Sequence, residues 1–577
     1  MGIEKFATFI GNNYRECRQY KLPSNIASLF IDCNGIFHKA KAKVYLLETN
    51  RDFKLIHTNE ERKALKANKL PEELEKAHIQ EVIKEFEKVL KTFSPSDNLI
   101  LAPDGCANSA KMQQQKYRRY TKETDPQQIF DGAAISPGTE FMFHLDSAIT
   151  AWITKTKEIP ANTIYSSHMD PGEGEHKIFH YLREGKVLNP EANHVMYGAD
   201  GDLFLLSLLS PLNHIYLVKE DLKKTYNIDK LKDLIYQKLD FGKTDRKIIL
   251  QDFVLLTFFI GNDFLPKMPN MADSNDSMVM LQDLYRKEAK YLTNDKNEII
   301  WKNLLKFMKS WRDYKNEYGY DIYVERAVSS SPSFPYPELL QSLMTYDRKG
   351  KVLDNPEIGA LRDYQHEFDL ETFSRLWYNK QFKPRTKELD EMFPNKEFYG
   401  KKDIVNMANY FLKTFQWVMI YYTQGYLKVS NMHFYPYFYG PLFDSVINYL
   451  DYLLKKKKTD KLMNVYRDDT QFSVIHQLLL VLSPRSIDLI PAEFRDLYRE
   501  KLASISPLNF QTAERPEGTS EDSKVVKYIP PINPFLVLML MEGKELSKKY
   551  QAKKAMFIRG ERKIRKIEYD IKDINLI

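Results

Sequence analysis

The chain is long, rich in aromatic residues and weakly basic. It has 577 residues, of which 43% are hydrophobic and 13% aromatic, so it can bury a large core. A chain of this length suggests roughly three or four domains. Its 85 Lys and Arg residues exceed its 78 Asp and Glu residues, and the resulting net charge of +7 permits a polyanionic partner without requiring one.

Cysteine usage and hydropathy exclude several classes of protein. The three cysteines, Cys17, Cys33 and Cys106, form no CxxC pair and are odd in number. This pattern argues against a disulfide framework and against a zinc site. The sequence MGIEKFATFIGNN lacks the long apolar segment of a signal peptide, and the longest apolar runs, such as 253–260, are too short to cross a bilayer. We therefore expect an intracellular protein that does not bind membranes.

Residues 1–275 alternate short apolar runs with helix-periodic stretches. SLFID, NLILAPDG, HVMYGAD and HIYLVKE are predicted to contain buried strands, and residues 72–93 are predicted to form a helix. Strands that alternate with helices form a mostly parallel sheet. The predicted fold of residues 1–275 is therefore α/β, with a mostly parallel twisted sheet and flanking helices.

From 276 to 577 the spacing of apolar residues is mainly helical, as in residues 409–427. We predict a second, mainly helical region here, with loops near 329–337 and 512–524, where Pro, Ser and charged residues accumulate. The basic segment 553–566 is interpreted as a solvated terminal helix, with contact to phosphates as the alternative.

Seven carboxylates of the α/β region lie where a metal-dependent nuclease needs them. Some directly follow an apolar run, and the carboxyl ends of parallel strands converge in one crevice. Hard oxygen ligands suit Mg²⁺ or Mn²⁺, and two ions about 4 Å apart can activate water and stabilise a leaving oxygen. Taken alone, either the E-G-E or the D-G-D pair is equally consistent with helix caps or surface charges. The candidate catalytic and metal-binding residues are Asp32, Asp104, Glu173, Glu175, Asp200, Asp202 and Asp263.

A basic segment follows Asp104. A helix over 110–120 places Lys111, Gln115 and Arg118 on one face, with Arg119 at its edge. Such a face suits a terminal phosphate, which Arg can bind through two hydrogen bonds, although an ordinary basic helix surface is the alternative.

A histidine also lies close to the first acid in the sequence. His38 follows Asp32 by six residues, so it begins near the acidic crevice. Its ring could stack on a base, an interaction worth about 1–3 kcal/mol.

Seven motifs, in this order, resemble those of the XRN-type 5′-to-3′ exoribonucleases: MGIEKF, FIDCNGIFH, DGCANSAKMQQQKYRR, ISPGTEFM, DPGEGEHKI, YGADGDL and GNDFLPKMP. A weaker resemblance follows in LWYNKQF, QWVMIYYTQGY and FYPYFYGP. The resemblance spans most of the chain. It implies a nuclease core like that of PIN and flap nucleases, without the long C-terminal modules of some family members.

The resemblance also implies roles for the candidate residues. The seven acids would bind two catalytic ions, Mg²⁺ or Mn²⁺. Lys111, Gln115, Arg118 and Arg119 would form the pocket for a 5′-monophosphate, and His38 would stack on the first nucleotide. The implied activity is metal-dependent 5′-to-3′ degradation of 5′-monophosphorylated RNA to mononucleotides. We expect a monomer whose partners are single-stranded RNA with a 5′-monophosphate and decapping factors. The lack of a clear nuclear signal in the sequence favours the cytoplasm, with the nucleus as the alternative.

The chain departs from the family pattern at several positions. SNMHFYPYFY stands where the family has tryptophans, which leaves His433 or Phe434 as the candidate second stacking ring. Asn108 and Ser109 stand where the family tends to have Pro and Arg, and Gly201 replaces a common Ala. The candidate metal ligands and pocket residues are unaffected.

Two alternative functions belong to other classes. A structure-specific 5′ flap DNA nuclease has similarly arranged acids, but its last Asp motif is followed by a glycine-rich helix-hairpin-helix. The sequence GNDFLPKMPNMADSND contains no such GxG turn. An inactive RNA-binding scaffold has no use for a full set of metal ligands.

Overall fold

The structure is a computed structural model. It describes residues 6–45, 71–121, 130–219, 224–242, 244–268, 271, 274–317, 345–346, 352–353, 374, 377–379, 399–512, 527–547, 549–550, 554–560 and 563–569. The predicted loop at 329–337 lies outside these residues, and so does the predicted loop at 512–524 apart from Thr512.

The described strands are short, and most of them belong to one sheet. They are β1 (Arg18–Gln19), β2 (Ile26–Asp32), β3 (Asn98–Ala102), β4 (Asn162–Ser166), β5 (Asn193–Tyr197), β6 (Ile215–Val218), β7 (Thr225–Asn227), β8 (Thr345–Tyr346), β9 (Val352–Leu353), β10 (Gln511–Thr512), β11 (Lys527–Tyr528), β12 (Lys554–Gly560) and β13 (Lys563–Tyr569). The main sheet has the order β1-β7-β6-β5-β2-β3-β4-β12-β13. Its five central strands, β6 to β4, are parallel, whereas the pairings at both edges are antiparallel. The predicted α/β fold is confirmed, and the parallel arrangement holds for the centre of the sheet.

The prediction of a solvated helix at 553–566 is wrong. This segment forms the antiparallel hairpin β12–β13, and β12 pairs with the edge strand β4. The unpaired edge of β4 offers backbone hydrogen bonds, and Ile558, Ile564 and Ile567 are β-branched residues that favour strands. The last described segment of the chain therefore extends the sheet of the first region.

Helices cover both faces of the sheet and build the second region. In the first region they are α1 (Phe6–Asn13), α2 (Asn34–Val44), α3 (Pro71–Phe93), α4 (Ser109–Thr121), α5 (Glu140–Lys155), α6 (Gly174–Arg183), α7 (Asp202–Leu208), α8 (Ile228–Leu239) and α9 (Arg246–Thr257). In the second region they are α10 (Ser274–Glu288), α11 (Trp301–Glu317), α12 (Lys401–Thr423), α13 (Phe443–Lys455), α14 (Val474–Val481), α15 (Ala492–Lys501) and α16 (Pro534–Met541). The predicted helices at 72–93 and 110–120 are confirmed. The predicted helix at 409–427 ends at Thr423, because Gly425 with φ 97° turns the chain.

The hydrophobic core runs without interruption from the sheet into the second region. One face of the sheet packs against α2, α3 and α5. On the other face, the core of α6 to α9 continues into α10 to α13. A further cluster packs α14 to α16 against the start of α4. The second region therefore packs close to the carboxyl ends of the central strands, where the candidate acids lie.

Two further observations concern the cysteines and the hydropathy of the described helices. All three cysteines are buried free thiols. Among the helices that the structure describes, none has both the length and the hydropathy needed to cross a bilayer.

Candidate metal and phosphate site

Three acids converge at the carboxyl edge of the parallel strands. Asp32 ends β2, Asp104 lies two residues after β3, and Glu175 is in the first turn of α6. Carboxylate oxygens of these three residues lie within 4.8 Å of one another. Oxygens bound to one Mg²⁺ are roughly 3–4 Å apart, as its bond length requires, so a small inward movement of the three side chains would bring them to the spacing of a metal site. A set of three carboxylates fits a hard divalent ion such as Mg²⁺ or Mn²⁺.

The glycine between Glu173 and Glu175 explains how α6 reaches the strand ends. A Cβ atom on Gly174 would lie 2.9 Å from Asp32 Oδ1 and closer still to a backbone oxygen of β3. The Gly174 N–H donates a hydrogen bond to Asp104 Oδ1 at 2.9 Å. The missing side chain therefore lets α6 begin directly against the site, which brings both glutamates to it.

Asp104 is held in place by Asn34, a residue that the sequence analysis did not single out. Asn34 Nδ2 donates to Asp104 Oδ2 at 2.6 Å, and Asn34 Oδ1 accepts from the backbone N–H of Asp104 at 3.1 Å. This reciprocal pair fixes the orientation of the carboxylate. The sequence feature that could have identified Asn34 is its position two residues after Asp32, at the start of α2.

The remaining acids lie beside this triad. The Lys111 ammonium binds Glu173 Oε2 and Asp263 Oδ2, the latter at 2.8 Å. Asp200 lines the same cavity as the triad. Asp202 is buried at the start of α7, and both Asp200 and Asp263 act on its charge. The structure therefore brings all seven predicted acids into one neighbourhood.

Asp263 is presented by a local turn. The backbone of Gly261 has φ 86°, a left-handed conformation that favours glycine. Asn262 Oδ1 accepts hydrogen bonds from Phe264 N and Leu265 N, each at 2.9 Å. This arrangement is a side-chain-stabilised turn. In the sequence Gly-Asn-Asp, the glycine adopts the left-handed conformation, the asparagine stabilises the turn, and the aspartate follows it.

Burial and neighbouring carboxylates raise the pKa values of Glu175 and Asp202. Burial raises the pKa of Glu175 well above its ordinary value, and the charges of Glu173 and Asp32 add to this. Burial also raises the pKa of Asp202, with further contributions from Asp200 and Asp263. Cations bound between these groups would relieve both the repulsion and the cost of burial.

Two features of the fold partly offset this repulsion. Glu175 and Asp202 lie in the first turns of α6 and α7, where the helix dipole favours negative charge. Burial lowers the pKa of Lys111, but Asp263 and Glu173 outweigh burial and hold that pKa well above its ordinary value. Lys111 is therefore charged and compensates two of the acids.

A single cavity of about 340 Å³ joins the acids to the basic face of α4. Its lining includes five of the acids and all four predicted phosphate-binding residues, together with His38: Asp32, Asp104, Glu173, Glu175, Asp200, Lys111, Gln115, Arg118, Arg119 and His38. Asp202 and Asp263 do not line it. Lys111 lies at the boundary between the two groups, because it lines the cavity and is also bound to two of the acids.

Arg119 and Gln115 of the basic face have different partners. Arg119 Nη2 donates to Ser136 Oγ at 2.6 Å, whereas its buried Nε has no hydrogen-bond partner in the described part of the chain. Burial, and then the neighbouring Arg118, lowers the pKa of Arg119 to about 10. Gln477 Nε2, on α14, donates to Gln115 Oε1 at 2.9 Å. Because its oxygen is occupied, Gln115 presents its NH₂ group as a donor.

Two residues of α2, His38 and Lys41, also line the cavity. His38 is exposed, and Lys41 lies one turn later. Among the described lining residues, His38 is the only ring. His433 instead bonds Thr414 Oγ1 at 2.9 Å, and Phe434 packs against the core. Neither candidate for a second stacking ring therefore lies in the cavity wall.

Asn108 holds the start of α4, and we expect its side chain to matter for stability. Its Oδ1 accepts a hydrogen bond from Lys111 N at 3.0 Å, as a helix N-cap does. The Asn108→Ala variant should lose about 1 kcal/mol of unfolding free energy, whereas Asn108→Ser, which keeps an acceptor, should lose less. Urea unfolding measures both values. Equal stability of Asn108→Ala and the wild type would contradict the capping role.

Comparison with known proteins places both regions in one family. Residues 1–221 match the family described as XRN 5′-3′ exonuclease N-terminus, and residues 243–329 and 361–530 match the Xrn1 helical domain. Together these matches cover most of the chain and both of its regions.

Two of the relatives match over nearly the whole chain, and a third matches over less than half of it. The 5′-3′ exoribonuclease 1 of Schizosaccharomyces pombe is 25% identical over 91% of this chain and 47% of its own length. The human 5′-3′ exoribonuclease 1 is 26% identical over 92% of this chain and 32% of its own length. The 5′-3′ exoribonuclease 2 of Arabidopsis thaliana is 28% identical over 39% of this chain and 30% of its own length. The chain thus spans about half or less of the length of these relatives.

Proposed function

Because the chain belongs to the XRN family of 5′-3′ exonucleases, we propose that it is a metal-dependent exoribonuclease that degrades 5′-monophosphorylated RNA to mononucleotides. The observation that supports this most directly is the single cavity in which the acid triad and the basic face of α4 meet. Its volume of about 340 Å³ is within the usual range for small-molecule sites, which is roughly 300–1,000 Å³.

The acids hold two divalent ions, Mg²⁺ or Mn²⁺, in this proposal. Asp32, Asp104 and Glu175 are closest to the arrangement that one ion needs, and the other four acids supply donors for a second. When bound, such ions supply charge stabilisation at the scissile phosphodiester and activation of the attacking water. Asn34 keeps the Asp104 carboxylate oriented towards its site through two hydrogen bonds.

In this proposal, the basic face of α4 binds the 5′ end of the RNA. Arg118 and Arg119 bind the oxygens of a terminal monophosphate, and the NH₂ group of Gln115 adds a neutral donor. Lys111, held between Glu173 and Asp263, places a positive charge between the terminal phosphate and the acids. A cap or triphosphate would be too bulky for this pocket, so the cavity selects monophosphate ends and sets the 5′-to-3′ polarity.

His38 contacts the base of the first nucleotide. Its exposed ring, which lines the cavity, stacks on the base without reading its identity, since every base has a π face. Selection would therefore depend on the phosphate rather than on the sequence of the RNA.

One substrate comparison tests this proposal. A single labelled RNA bearing a monophosphate, triphosphate, cap or hydroxyl at its 5′ end is incubated with the protein in Mg²⁺ or in EDTA. We expect mononucleotides only in Mg²⁺, and fastest from the monophosphate. Preferential cleavage of a DNA flap would favour a structure-specific nuclease, and RNA binding without turnover would favour an inactive scaffold; either result would overturn the proposal.

A further inference from the structure

Among the described residues of the second region, Tyr421 on α12 makes a direct hydrogen bond to one of the candidate acids. The Tyr421 side chain is fully buried, and its hydroxyl donates a hydrogen bond of 2.5 Å to Glu173 Oε1. The other oxygen of Glu173 accepts from the Lys111 ammonium. Both oxygens of this carboxylate are therefore held, one by a residue of the α/β region and one by a residue of the helical region.

The ring of Tyr421 packs against the rings of three other residues. The His176 ring, one residue after Glu175, lies 3.8 Å from it between centroids. The Trp417 ring stacks on it at 4.8 Å with an interplanar angle of 20°. The Phe264 ring, one residue after Asp263, meets its ring nearly perpendicularly at 5.3 Å. This packing leaves the ring little freedom, so it fixes the position of the hydroxyl.

The phenol can only donate to the carboxylate. The Tyr421 hydroxyl supplies the proton of the 2.5 Å contact with Glu173 Oε1, because an ionised carboxylate has none to donate. A charge-assisted hydrogen bond from a rigid donor defines where the accepting carboxylate lies. Groups that orient ligands in this way typically change metal affinity by roughly 10- to 100-fold when they are removed.

We propose that Tyr421 is a positioning residue that orients Glu173 for divalent-ion binding, so that the helical region completes the metal site. This inference rests on the proposed metal-dependent function. It goes further by assigning part of the ion affinity to a side chain outside the α/β region. A substitution at Tyr421 alone should therefore weaken divalent-ion binding, even though every candidate acid of the α/β region is still present.

The test compares two variants of the full chain that each lose one buried tyrosine hydroxyl. Tyr421→Phe keeps the packed ring but removes the donor to Glu173. Tyr435→Phe is the matched control, because the buried Tyr435 hydroxyl donates to the backbone oxygen of Tyr439 at 2.7 Å. Mn²⁺ binding without RNA is measured by electron paramagnetic resonance of the free ion. Thermal unfolding in EDTA checks that both variants fold.

We expect Tyr421→Phe to bind Mn²⁺ roughly 10- to 100-fold more weakly than the wild type, while Tyr435→Phe binds like the wild type. The Mg²⁺ concentration for half-maximal RNA degradation should shift by a similar factor, with the rate largely restored at saturating Mg²⁺. In a Glu173→Gln background, Tyr421→Phe should cause no further loss of Mn²⁺ affinity.

Unchanged Mn²⁺ affinity in a folded Tyr421→Phe variant would overturn the positioning role, and so would a further loss of affinity in the Glu173→Gln background. These results are separable from the proposed function. A wild type that binds Mn²⁺ but degrades no RNA would contradict the function, while the affinity difference between the two tyrosine variants would still decide the role of Tyr421.

Discussion

Replacing Glu175 by Gln is expected to lower the rate of RNA degradation by about 10³-fold or more, equivalent to roughly 4 kcal/mol, because it removes a carboxylate from the triad. The same change should make the ion-free protein at least as stable as the wild type. Glu175 is buried beside Glu173 and Asp32, which repel its charge. The amide has nearly the same shape but no charge, so both the repulsion and the burial of a charge disappear. Degradation rates in Mg²⁺ and urea unfolding in EDTA measure the two effects.

Glu85→Gln supplies the matched control, with the opposite expectation. Glu85 is also buried, but it accepts from two lysines of α2, and its bond with Lys39 is 2.7 Å long. Removing this paired charge should cost about 1–3 kcal/mol of unfolding free energy and leave the degradation rate near that of the wild type. If Glu175→Gln retained full activity, or destabilised the ion-free protein as Glu85→Gln does, Glu175 would be a structural carboxylate and not a metal ligand.

Replacing Arg119 by Ala should reduce the preference for 5′-monophosphate over 5′-hydroxyl RNA by roughly 10- to 100-fold, the size expected for charge-assisted hydrogen bonds. The guanidinium lines the cavity, holds Ser136 with one nitrogen and has a buried Nε without a partner among the described residues. A phosphate oxygen would satisfy that donor. Arg119→Lys keeps the charge but loses the planar pair of donors, so it should recover only part of the preference.

The comparison is a ratio of kcat/KM values for the two RNA ends, which cancels any general loss of active protein. Arg312→Ala is the control. Arg312 lies on α11, bonds Asp313 at 3.2 Å, and does not line the cavity. It should leave the ratio unchanged. An Arg119→Ala variant with the ratio of the wild type would remove Arg119 from the phosphate pocket.

The parallel sheet and the convergence of the acids could be predicted because both follow from short local patterns in the sequence. β2, β3 and β5 lie in the centre of the sheet, so they read as continuous apolar runs. Parallel strands place their carboxyl ends at one edge, which is why acids far apart in sequence could be expected to meet. The helical period of residues 110–120 placed Lys111, Gln115 and Arg118 on one face, and all three line the cavity.

What could not be predicted depends on contacts between distant segments. The hairpin of β12 and β13 was not predicted, because its many charged residues suggest a solvated helix. Its strand conformation depends on the pairing of β12 with the edge strand β4, which lies far away in the sequence. Tyr421 lies in an apolar helix, and nothing in the local pattern indicates that its hydroxyl reaches Glu173, 248 residues away. The position of the His433 ring could not be predicted either, because it depends on a hydrogen bond to Thr414 on the preceding helix. Such roles follow from packing and not from periodicity.

A crystal structure of the full chain grown with Mn²⁺, with the ions located by anomalous scattering, would show whether the acid triad binds a divalent ion. We expect an anomalous peak coordinated by Asp32, Asp104 and Glu175, on the side of the cavity that faces Lys111 and Arg119. No peak among these carboxylates at millimolar Mn²⁺, with ions bound only elsewhere on the protein, would contradict this expectation.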